Sequence, residues 1–118
     1  MFGEEIKSVV NGVENGVGGL VMGLDGIAIE TYLADNQSTD VDTVGMEFSF
    51  ILSQVKKAGE SLSIGGLEEM AIRAETMTLL VRMLNEEYFF AVILGAKTNF
   101  GKARFLSRVA ASKMKKNL

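Results

Sequence analysis

Four constellations in this chain carry residue types from which enzymes build sites, and each fails on chemistry. Gly95-Ala96-Lys97-Thr98 is similar to the end of a phosphate-binding loop. That loop needs glycine directly before its lysine and another glycine five residues earlier, so that bare backbone amides can cradle phosphate. Here Ala96 and Phe90 or Ala91 stand in those places. Gly16-Val17-Gly18 lacks the third glycine of a dinucleotide fingerprint, because Val21 occupies its position. The carboxylate pairs Glu68/Glu69 and Glu86/Glu87 are adjacent, and adjacent strand residues point to opposite faces, so neither pair forms an acid–base dyad. Arg73 and Arg82 could supply an arginine finger to a phosphoryl group. Cross-strand pairing with Glu75 or Glu69 accounts for them more simply. The chain has no histidine and no cysteine, which removes the commonest general base, the commonest metal ligands and any thiol nucleophile. We expect no catalytic residue, no metal and no cofactor.

The elements that would have to position a site are legible in outline. Phe2, Ile6, Val9, Val10 and Val13 share one face of a helix over residues 4–15, with Glu4 and Glu5 in its first turn. Gly16, Gly18 and Gly19 are expected to end it. Leu20–Leu24 and Ile27–Leu33 flank Asp25-Gly26, the signal for a hairpin with a two-residue turn. The polar loop Asp35–Asp40 can cap a long helix over Asp40–Leu62. Three strands follow: an alternating one over Leu67–Glu75, then the apolar runs Thr76–Leu84 and Tyr88–Leu94. Thr98 or Asn99 caps a last helix expected to bury Phe105, Leu106, Val109, Ala110 and Met114. The order, helix, two strands, helix, three strands, helix, predicts an α+β fold. Its simplest form is one five-stranded, mostly antiparallel sheet with helices on both faces.

The long helix has more apolar surface than a lone domain needs. Val41, Val44, Phe48, Ile51, Leu52, Val55 and Leu62 form the expected core stripe. Met46 and Phe50 lie on roughly the opposite side, and Gly45, Ser49 and Ser53 form a strip of small residues between the two. One stripe suffices for burial, so the surplus predicts a partner. The small residues would let another helix approach closely. A second interface candidate is the strand from Leu67 to Glu75: a regular edge without proline invites another chain. Acting together, the two would pair copies edge to edge around a twofold axis.

At 118 residues, 1–118 is expected to be one domain with a real core. No apolar run reaches membrane-spanning length, and the N-terminus Met1-Phe2-Gly3-Glu4-Glu5 is acidic where a secretory signal is basic. A cytoplasmic location is the resulting expectation. The net charge of −3 hides an asymmetry: residues 102–118 hold six bases and no acid. Cations favour the negative end of a helix dipole, and this reading is preferred over a nucleic-acid or membrane partner.

With these features in place, the chain resembles the roadblock / dynein light chain domain family, and among its members the prokaryotic Mgl-type GTPase regulators. The resemblance spans nearly all the residues. It rests on the element order, the hairpin Leu24-Asp25-Gly26-Ile27, and the opening of the closing helix, Thr98-Asn99-Phe100-Gly101-Lys102-Ala103-Arg104. It implies sheet order 2-1-5-4-3 for the five strands. It also implies third strands paired across a homodimer and second helices side by side, the other helices lying on the opposite face. Family members bind Ras-like small GTPases, or serve as structural light chains, without catalytic residues of their own. The resemblance then suggests Thr43, Met46, Phe50, Ser53 and Lys57 as GTPase-facing residues. Gly45, Ser49, Leu67, Glu69, Ala71 and Arg73 are the expected dimer contacts.

Overall fold

A computed structural model describes residues 1–118. The element order is α1 (Gly3–Gly12), β1 (Gly16–Gly23), β2 (Ala28–Leu33), α2 (Val41–Leu62), β3 (Glu69–Arg73), β4 (Met77–Met83), β5 (Tyr88–Gly95) and α3 (Phe100–Lys115). The five strands form one antiparallel sheet in the order β2-β1-β5-β4-β3. The two outer strands, β2 and β3, are therefore its open edges.

Two apolar layers flank the sheet. On one face α1 and α3 cover a core containing Phe2, Ile6, Val10, Val21, Phe90, Val92 and Met114. On the other, α2 covers Leu20, Met22, Leu79, Val81, Phe89 and Ile93 through Val41 and Leu52. The central strand β5 is buried along most of its length because it is covered on both sides, as its unbroken apolar run predicts.

Close packing at β1 explains its glycines. A side chain at Gly16 would run into the Val10 carbonyl, one at Gly19 into Ile6, and one at Gly18 into Val41. These residues belong to the strand and do not end α1, which stops at Gly12. The hairpin also departs from expectation. Gly26 N–H donates to the Gly23 carbonyl and Gly23 N–H to the Ile27 carbonyl, which leaves three loop residues, Leu24 to Gly26. Gly26 has φ of 84°, the left-handed conformation that closes such a loop. The long helices are capped as expected. Asp40 accepts from Thr43 N at 3.1 Å, and Asn99, the true cap of α3, accepts from Lys102 N at 3.0 Å.

Two helix faces are corrected. On α3, Phe105 is 62% exposed and Val109 is also exposed, whereas Ala103, Ser107, Ala110, Ala111 and Met114 are buried. On α2, Ile51, Val55 and Leu62 are exposed, and Gly45 and Ser49 are buried with Val41 and Leu52. In both cases small residues let the helix sit close to its neighbours, and larger apolar side chains are turned outward.

Candidate functional site

No group of acidic side chains is placed to hold a metal ion. A cavity of about 480 Å³ lies between the C-terminal part of α2, the loop before β3 and the β4–β5 turn. Lys56, Arg82 and Lys115 line it together with Glu60, Glu68 and Glu86. Opposite charges are mixed along its wall, and Lys56 already donates to the Glu86 carbonyl at 3.0 Å. Leu67, one of the expected dimer contacts, also lines this cavity.

The surface of α2 is more informative. Turning 100° per residue places Thr43, Met46, Phe50, Ser53 and Lys57 on a single stripe of a helix about 33 Å long. Met46 is 58% exposed and Phe50 67% exposed, while Ser53 is half-buried. Thr43 is already committed, since its hydroxyl donates to Asp40 Oδ2 at 2.7 Å. The Thr43 hydroxyl and N–H together hold the Asp40 carboxyl below its ordinary range.

Met46 and Ser49 lie beside the β1–β2 turn: a side chain added at Gly26 would come within 4 Å of both. Val44 and Phe48 lie on the other side of the helix and pack on the cluster that also takes in Met70 and Met77 of β3 and β4. Ile51, Val55 and Leu62 continue that second flank by helical spacing. Ile51 and Val55 are each 37% exposed. So α2 carries two separate apolar surfaces, one toward the hairpin and the other toward the β3 side of the sheet.

The small strip does not face outward. A Cβ built on Gly45 would stand 2.7 Å from Leu20 Cδ1 and from Met22 Cε of β1, so this glycine is where the helix meets its own sheet. Ser49 is buried and donates to the Met46 carbonyl at 2.7 Å, and Ser53 donates to the Ser49 carbonyl at 3.0 Å. Both hydroxyls are satisfied within the helix. The expectation that Gly45 and Ser49 contact a twin helix is corrected accordingly: the close approach their size permits is to β1.

At the β3 edge, Glu69 bonds Arg82 directly across the strand pair at 2.6 Å and Arg104 of α3 at 2.7 Å. Arg82 thus has the predicted cross-strand partner. Arg73 instead lies over the Phe100 ring, 4.9 Å from its centre. Glu69 and Arg73 belong to the α3 face of the strand, Met70 to the α2 face. Ala71 is exposed between them. Sequence reasoning missed the exposed Ile51–Val55 flank, because apolar residues at core spacing read as core. The small residues beside them were the available signal.

Among solved structures, MglC from Myxococcus xanthus is 34% identical, with 99% of this chain and 98% of that one covered and a TM-score of 0.73. A Roadblock/LC7 domain from Streptomyces avermitilis superposes with a TM-score of 0.84 at 14% identity, covering 97% of this chain and 94% of that one. The gliding protein MglB from Thermus thermophilus gives 0.87 at 14% identity, covering 98% and 86%. No family model and no curated protein matches the sequence.

Proposed function

The chain belongs to the roadblock/LC7 family as a relative of the Mgl-type proteins, and from that premise we propose a homodimeric regulatory or scaffold protein of the cytoplasm that binds a Ras-like small GTPase. It modulates GTP hydrolysis through the GTPase's own residues and contributes none to the chemistry. The observation that carries the reading is the pair of exposed apolar flanks on α2, more than one partner would need. The Ile51–Val55 flank continues toward β3, an open edge of the sheet that in this reading pairs with a second copy. The Met46–Phe50 stripe is left for the GTPase.

A second reading, a structural light-chain-type adaptor, is favoured by the open edge of β3, whose free backbone groups suit an extended peptide. A pull-down from native cells with this chain as bait, in GTP and in GDP buffers, separates the two. The first reading expects nucleotide-dependent capture of a Ras-like GTPase, lost in Phe50→Asp. Equal capture of a non-GTPase partner in both buffers would replace it with the adaptor reading.

A further inference from the structure

The backbone of β3 limits how two copies can pair. Ala74 N–H donates to the Met77 carbonyl and the Glu68 carbonyl accepts from Met83 N–H, so the even-numbered residues of this stretch bond inward to β4. By the alternation of an antiparallel ladder, Glu69, Ala71 and Arg73 present their N–H and C=O groups to the open edge. A second β3 running the opposite way must therefore set odd-numbered residues against odd-numbered ones.

Side-chain charge then selects among the few matches. Centring on Ala71 places Glu69 of each copy opposite Arg73 of the other, twice per dimer. A slip one way sets Glu69 against Glu69 or against Ala71. A slip the other way sets Arg73 against Arg73, or Arg73 against Ala71 with Glu69 against Glu75. Like charges directly opposite are destabilising and opposite charges stabilising. Arg82 and Arg104 each engage one oxygen of Glu69, and a carboxylate has acceptor capacity beyond two bonds. On the other face the same register sets Met70 against Ile72, both half-buried in the single chain.

We propose that β3 pairs with β3 of a second copy in the register centred on Ala71, seating Glu69 of each copy against Arg73 of the other. This rests on the dimer reading above and adds its register. Arg73→Glu turns two attractive pairs repulsive and raises the dimer dissociation constant about tenfold.

The chain has no cysteine, so single introduced thiols report the register directly. Across the centred pair the two Ala71 Cα atoms lie about 5.5 Å apart, within disulfide reach. The two Arg73 Cα atoms lie about 13 Å apart, beyond it. Full-length Ala71→Cys and Arg73→Cys proteins are oxidised mildly and run on a non-reducing gel, with the mass of the unmodified protein measured by light scattering. The expected result is a dimeric unmodified protein, a covalent dimer from Ala71→Cys and none from Arg73→Cys. A dimeric protein that cross-links through Arg73→Cys and not Ala71→Cys overturns the register and keeps the dimer. A monomeric unmodified protein overturns both.

Discussion

The two flanks of α2 are both apolar and both exposed, yet they border different parts of the sheet. The hairpin flank, with Met46 and Phe50, rises beside the β1–β2 turn and carries Thr43 and Lys57 on the same stripe. The other flank, with Ile51 and Val55, lies on the side where Phe48 packs on the cluster shared with Met70 and Met77. Strands β2 and β3 are opposite edges, so a partner on one flank leaves the other free. One helix can thus serve two partners without competition, provided its burial against the sheet is held by residues belonging to neither flank. Those are Val41, Gly45, Ser49 and Leu52.

Gly45→Leu breaks this division most severely. Its side chain would enter the space of Leu20 and Met22 and cost the chain about 2 kcal/mol by overpacking, read from chemical denaturation. If Gly45 instead faced a twin helix, the substitution would weaken the dimer and leave the stability of the fold unchanged. Asp40→Ala removes the cap of the turn that carries Thr43 and lowers the denaturation midpoint by less than Gly45→Leu does, with dimer affinity unchanged. A loss of dimer in this variant would tie the cap to the interface.

The smallest effect concerns the β2 side. Glu30 accepts from Phe2 N–H at 2.8 Å and from the terminal ammonium at 3.2 Å, which fastens α1 to the edge strand. The Phe2 amide, first, and the ammonium hold its carboxyl below the ordinary 4.5. A carboxylate depressed in the folded state stabilises above its unfolded pKa and loses that contribution as pH falls through the folded value. Melting temperature should therefore drop as pH falls below the ordinary 4.5, with a component absent in Glu30→Gln. Identical slopes for the two proteins would show that this contact contributes nothing.

The fold was legible because its signals are local. Asp40 and Asn99 stand directly before apolar periodicity, and the unbroken run of β5 marks a strand covered on both faces. The sheet order was not local, and came from the resemblance alone. The helix faces were misread for one physical reason. Small residues signal close approach without saying to what, and at Gly45, Ser49, Ala103 and Ser107 the neighbour is inside the chain itself. Once a helix sits on its small residues, large ones such as Ile51, Val55 and Phe105 turn outward. The Met46–Phe50 stripe was correctly placed on the surface because no core spacing included it. Glu69 was foreseen as a partner of arginine, but Arg104 comes from a distant helix and leaves no trace in strand alternation.

Sedimentation equilibrium of Val55→Glu beside Phe50→Glu tests the division of α2 most directly. Val55→Glu is expected to sediment as a folded monomer and Phe50→Glu to remain a dimer. A dimeric Val55→Glu with a monomeric Phe50→Glu would contradict it and put the second copy on the hairpin flank.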